Sequence, residues 1–396
     1  MVSATIVLFA SLTPARQAPP APRRDGPGHN AALRYWQAFA HLPPLDGPRQ
    51  KLLADAANGT AAGADAAELA GGGRDALLYL RRGAAIGPCD WGLHPEDGPN
   101  LLLPHLARGR DLARLAAAQA RLDFAAGDGR RAVDTAADAV VLGRHLGTDL
   151  TAIVSYLVQL AVERVSIEAL ASHLAGLDPA ALEQLDRRLA ALPPGGSMGA
   201  CMRVERESFL EWAIGHLGRM TDNDPWKEKV LGPFGGGTDP ERANIDRVVA
   251  AAGGTRRGVL AQFESLRNYY RELEEILPLP REQFAAKLAE VEKRARENPL
   301  ASVTLPSVMK VYDRDAAGRT RMTLLKAAVA VARGGPERAR EFRDASGAPL
   351  EYHATDAGFE LRSTVADDGR PVTLTAGGKR RQPPPADAAT PPAPPR

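Results

Sequence analysis

The chain reads as a mainly α protein. It is expected to form antiparallel helical hairpins of tetratricopeptide-like or α-bundle type, followed by a small C-terminal antiparallel β-meander. Three observations predict this. Alanine occurs 71 times in 396 residues while aromatics make up 5%, a balance that favours helices over sheets. Between about residues 29 and 333, apolar positions recur at helical spacing, punctuated by readable caps and breaks. After residue 344 the apolar positions alternate instead, with turn residues between the runs.

Composition narrows the function before any motif does. With 50 Lys+Arg against 48 Asp+Glu, the net charge of +2 supplies no overall field for nucleic acid or an anionic membrane. Two cysteines exclude a disulfide-rich scaffold and a Cys-only zinc or iron–sulfur site. No 18-residue uncharged apolar stretch occurs, so a membrane-spanning helix is not expected.

At the N-terminus, Ala4–Leu12 is a nine-residue apolar run followed by Pro14, Pro19, Pro20 and Pro22. Its length suits a secretory h-region, although only Met1, Val2 and Ser3 stand before it and no basic n-region is present. Residues 1–28 are therefore read as a signal peptide with a proline-rich linker, giving a periplasmic or secreted location, with a cytoplasmic one as the alternative. The all-α domain then spans 29–335, a β-element 336–378, and a disordered Pro/Ala-rich tail 379–396.

Within the body, Asn30–Leu42 places Leu33, Trp36, Phe39 and Ala40 on one face and stops at Pro43-Pro44. Leu101–Ala126 and Arg130–Leu146 are separated by Gly127-Asp128-Gly129, with Ala120, Phe124, Ala132, Ala136 and Ala139 at the spacing of one tetratricopeptide-type hairpin. Asp149 precedes a helix to about Leu174. Asp178-Pro179 opens one to Leu192, Ser197 opens Met198–Met220, and Asp239-Pro240 opens one to Ala252. Thr255–Leu277 and Arg281–Glu297 read as surface helices, and Leu300–Val331 closes the body with a break near Asp313–Gly318. Leu350–His353, Phe359–Val365 and Pro371–Thr375 are the three short strands, with turn chemistry at Thr355–Gly358 and Asp367–Gly369.

Asp344-Ala-Ser-Gly-Ala-Pro-Leu-Glu-Tyr352, then Gly358-Phe-Glu-Leu-Arg-Ser363 and Asp367-Asp-Gly369, is similar to the C-terminal sheet of type II secretion major pseudopilins. A similar tail occurs in uncharacterised exported bacterial helical proteins, which Asn30–Leu42 and Cys89-Asp-Trp-Gly92 with Glu96-Asp-Gly-Pro99 also resemble. The resemblance implies export and the helical-plus-β plan without supplying an activity. The chain lacks the pseudopilin's N-terminal segment and carries Ala345 where the motif has proline, which argues against membership of a filament. Asp367 and Asp368 stand where pseudopilins place calcium-binding acids; adjacent acids in a glycine turn are usually only solvated.

Chemistry-bearing residues concentrate in Pro88–His105. Cys89, Asp90 and His94 could serve an envelope hydrolase, because nucleophilic catalysis needs such groups clustered; alternatively Trp91 plugs the helical body and the loop is structural. Glu163, Glu205 and Arg206 fall on or beside apolar helix stripes, where an unpaired charge is costly, so Glu163 or Glu205 is expected to pair with Arg206 or Arg164, structurally or as a ligand-reading site. Cys89 and Cys201 could form one disulfide in an exported protein. Pro225–Asp239 reads as a glycine-rich connector, not a P-loop. No motif calls for a metal or a cofactor. The reading that follows is a non-catalytic binding or scaffold protein with a protein or peptide partner at the cell envelope, a pseudopilin-related secretion accessory being a further alternative.

Overall fold

The computed structural model of the chain describes residues 29–61, 63–148, 152–234, 239–301 and 307–377. The candidate signal peptide and the proline-rich tail lie outside these residues. The described chain is mainly α, with one C-terminal three-stranded antiparallel sheet.

Four helices, α1 (Ala31–Ala40), α2 (Gly47–Asn58), α3 (Ala64–Gly72) and α4 (Arg74–Ala84), pack on the long hairpin of α5 (Pro104–Ala125) and α6 (Gly129–Thr148). Their starts follow ordinary capping. The Asn30 side chain accepts from the Ala32 N–H at 3.0 Å and Asp46 from that of Arg49 at 2.9 Å. α1 buries Ala31, Ala32, Tyr35, Ala38 and Phe39, leaving Leu33 and Trp36 about two-fifths exposed. The predicted face was therefore rotated: Tyr35 was the missed anchor, because its hydroxyl has a buried partner that only tertiary structure supplies.

The predicted small residues Ala120, Ala132, Ala136 and Ala139 are fully buried in the α5–α6 hairpin. Phe124 packs against the same cluster. It is half-buried and stacks on His173, ring centroids 4.4 Å apart. α7 (Ile153–Ala171) lies against both helices, and α8 (Pro179–Ala190) starts where Asp178 accepts from the Ala181 N–H at 2.7 Å.

The segment read as one helix from Met198 is broken into α9 (Met198–Glu205), a π-turn at Arg206–Leu210, and α10 (Glu211–Arg219). The π-turn adds one residue to the turn, so Arg206 is out of the single-helix register with the residues of α10. The segment after Pro225 is not a plain connector. Trp226, Val230 and Leu231 are buried and Lys227–Leu231 forms a second π-turn; residues 235–238 lie outside the described chain. α11 (Asp239–Ala251), α12 (Arg256–Ile276) and α13 (Arg281–Ala295) follow, α12 and α13 meeting through Val259, Phe263, Leu273, Phe284 and Leu288.

α14 (Val308–Gly334) is continuous through 313–318, where a break was expected. Asp315 there accepts from the Tyr156 hydroxyl and from Arg319, which removes the drive to expose it. Gly318 meets Leu160 of α7, and a side-chain carbon at 318 would overlap it, so the glycine permits close helix contact rather than a break. α14 joins two cores. Val308, Val311 and Tyr312 belong with α9–α13, and Ala317 to Val331 belong with α7, α8 and the sheet.

The sheet runs β1 (Glu351–Thr355), β2 (Gly358–Asp367), β3 (Arg370–Ala376), in that order. Asp368 and Gly369 both adopt positive φ, 49° and 76°, and form the tight two-residue turn the sequence predicted. Phe359, Leu361, Val372, Leu374 and Ala376 turn inward onto α14, burying the apolar face that three short strands cannot hide alone. β3 is an edge strand, its end pinned to α7 by the Gly377 N–H donating to the Ala171 carbonyl at 3.1 Å.

Candidate functional site

The Pro88–His105 segment is organised around Trp91. Its ring is 7% exposed and stacks on His105 (4.6 Å), Tyr35 (5.7 Å) and Phe39 (6.0 Å), while its indole N–H donates to the His145 carbonyl at 2.9 Å. The residues proposed for hydrolysis each serve another contact. The Asp90 carboxylate accepts from the Gly92 N–H at 2.8 Å, and the exposed His94 ring faces Glu96 at 3.1 Å. Cys89 is half-buried against the aromatic cluster. Trp91 thus plugs the body as the structural alternative required.

The pairing of Tyr35 with His145 was missed by the sequence reading, the two being 110 residues apart. The Tyr35 hydroxyl and His145 Nδ1 are 2.8 Å apart. His105 is fully buried, and neither ring nitrogen has a partner among the described residues. Burial pushes the pKa of His105 down to about 4. It does the same to His145. Both rings therefore sit neutral in the core at ordinary pH.

The charges on the helix stripes find partners other than those expected. Glu163 pairs with Arg144 of α6 at 2.5 Å and accepts from Gln159 at 2.9 Å. Burial still raises its pKa, the arginine opposing. Arg164 is exposed, and Arg206 reaches Glu274 of α12 at 3.2 Å. Among the described residues, Glu205 accepts a single bond, of 3.3 Å from the Ile153 N–H, and burial carries its pKa up to about 7. Cys201 is fully buried among α9–α12, where burial and the Glu205 and Asp315 charges push its thiol well above the usual range. No disulfide joins it to Cys89, because the two residues belong to different cores.

The third region lies where the helical body meets the sheet. A cleft of about 480 Å³ is lined by Asn58 and Gly59 at the end of α2, Arg121 of α5, Glu168 and Ser172 at the end of α7, and Arg370 to Thr375 of β3. Arg121 is half-buried. It donates to the Ala57 carbonyl at 2.8 Å and to the Ser172 hydroxyl at 2.9 Å, and burial lowers its pKa, with Glu168 opposing. Arg314 and Arg321 engage Asp367, and Arg314 reaches Asp368 at 2.8 Å. The calcium reading of those acids is thereby corrected: arginines already occupy them. Among the described residues, no group of three or more His, Cys, Asp or Glu could hold a metal ion.

Asp344 explains why the tail folds as it does. Its carboxylate accepts from the backbone N–H of Ser346, Ala348 and Thr364 and from the hydroxyls of Ser346, Ser363 and Thr364, at 2.6 to 3.1 Å. Burial opposes ionisation, but these bonds outweigh it and hold the carboxyl at about 2.

No family model matches the chain, and no curated protein or solved structure does either. Among the described residues, no helix is long and apolar enough to cross a membrane.

Proposed function

We propose that the protein is a non-catalytic binding or scaffold protein that engages a protein or peptide partner at the cell envelope through the cleft between its helices and its sheet. The cleft itself carries this reading. Its wall combines a guanidinium, hydroxyls and the rim of an edge strand, which are recognition groups rather than a nucleophile with a base. Cys89, Asp90 and His94 support the hydrolase alternative less well, since each is committed elsewhere and Asp90 and His94 stand in solvent.

The test is capture from an envelope fraction by the immobilised full chain, quantified by mass spectrometry. Capture should survive Cys89→Ser and His94→Ala and fall several-fold with Arg121→Gln. Equal capture by all four proteins would remove the cleft from the account. Turnover of an ester or peptide substrate that vanishes with Cys89→Ser would favour the hydrolase.

A further inference from the structure

We infer that the cleft binds an extended peptide bearing a carboxylate, which adds as a fourth strand along β3 and places its negative charge at Arg121 and Arg370. The inference rests on the binding reading above and names the partner's chemistry.

The backbone of β3 supports the pairing. Asp367 and Arg370 close a two-residue turn and so form a hydrogen-bonded pair. β2 bulges between Arg362 and Ala366, which leaves Val372 without a register partner; beyond it, alternation along β3 turns the N–H and C=O of Leu374 and Ala376 toward β2, and those of Thr373 and Thr375 outward. The other end agrees. Thr355 and Gly358 also close a two-residue turn, which directs Phe359 and Leu361 toward Ala376 and Leu374. Among the described residues, nothing pairs with the outward groups of Thr373 and Thr375. Pro371, which has no N–H to offer, occupies an outward position, where an edge strand tolerates it.

The edge borders the cleft rather than open solvent. Thr373 and Thr375 line it together with Arg121, Glu168 and Ser172, and the Gly377–Ala171 bond closes one end. An open edge of this kind templates an added strand, and main-chain bonds supply the affinity.

Charge selects the occupant. Arg121, Arg321 and Arg370 line the cleft against Glu168 and Asp367. Asp367 is already engaged by Arg314 and Arg321. Arg121 and Arg370 make no ion pair among the described residues, leaving Glu168 to oppose them both. A half-buried guanidinium with carbonyl and hydroxyl partners gains from a carboxylate, because charge-assisted bonds are the stronger kind.

A phage-displayed library of random heptapeptides selected on the full chain tests this, with the enriched peptides synthesised, labelled and titrated. The expected peptides are rich in β-branched residues, carry Asp, Glu or a free C-terminal carboxylate, and protect the Thr373 and Thr375 amides from exchange. Thr373→Pro removes an outward N–H without touching the ladder to β2, and should weaken binding by roughly tenfold or more with an unchanged melting temperature. Arg121→Gln should weaken acidic peptides and spare their amidated or Asn/Gln counterparts. Peptides that bind equally well to Thr373→Pro would overturn the inference while leaving a partner-binding protein. Failure to enrich any peptide would also overturn it, and the envelope capture would still decide the broader reading. Self-association of the chain alone, abolished by Thr373→Pro in sedimentation, would assign the edge to a second copy and likewise overturn it.

Discussion

At the scale of single residues, the buried ionisable groups set the behaviour. Glu163 and Arg144 form a pair in which one partner is almost wholly buried, and removing one side leaves an uncompensated charge. Arg144→Leu should therefore cost about 3 kcal/mol in urea unfolding. The double variant Arg144→Leu/Glu163→Met should recover most of that loss; a double variant as weak as the single one would show that the pair is not the cause.

Glu205 and the two histidines give opposite pH slopes. Glu205 keeps its proton in the folded chain up to about 7 but loses it near the ordinary carboxylate value when unfolded. Stability therefore falls as pH rises from about 4.5 to 7 and is level above. Glu205→Gln should remove that slope and raise stability at pH 8 by roughly 2 kcal/mol, with little change at pH 4.5. His105 and His145 refuse protons down to about 4, whereas the unfolded chain takes them up near 6.5. Their contribution weakens stability as pH falls through that window. His105→Phe, which keeps the stack on Trp91, should flatten the acid limb measured by thermal melting at pH 4.5 to 7.

At the scale of elements, two small hubs hold segments that cannot stand alone. The loop after α4 is docked by Trp91, and Trp91→Ala should cost about 3–5 kcal/mol, since it empties a packed aromatic site. The sheet depends on Asp344. Asp344→Ala leaves its donors without an acceptor and should cost about 3 kcal/mol, read as loss of amide protection in β2 before the helices open. A protected β2 in that variant would move the sheet's support elsewhere.

These elements also show what the chain makes legible. Asp178, Ser197 and Thr255 cap their helices because a cap is a local bond, to the N–H three residues on. The meander was readable from period-two alternation and the Asp-Gly turn. The break expected near Asp313–Gly318 was a misreading of local propensity: the polar residue is satisfied by Tyr156, 159 residues away, and the glycine by a neighbouring helix. The π-turn at Arg206 has no local signal, and the partners of Glu205 and Arg206, the Ile153 N–H and Glu274, lie 52 and 68 residues away, beyond the reach of local pattern. The cleft was not legible at all. Its wall draws on residues 58 to 377, and only the packing of α2, α5, α7 and β3 brings them together.

At the scale of the whole molecule, α7 and α14 run through the body and connect the aromatic N-terminal core, the α9–α13 core and the sheet. This leaves the sheet with one face covered by α14 and one edge beside α7. The arrangement follows from burial, because the inward face of β2 and β3 must be hidden while the edge need not be. Function, in this account, resides in that remaining edge and the arginines across from it.

Residue-resolved amide exchange on the chain alone, followed by NMR, tests this most directly. Leu374 and Ala376, paired with Leu361 and Phe359 of β2, should be protected, and Thr373 and Thr375 should exchange roughly a hundredfold faster. Equal protection at all four positions would mean that the outer edge of β3 is already covered, and would contradict the account.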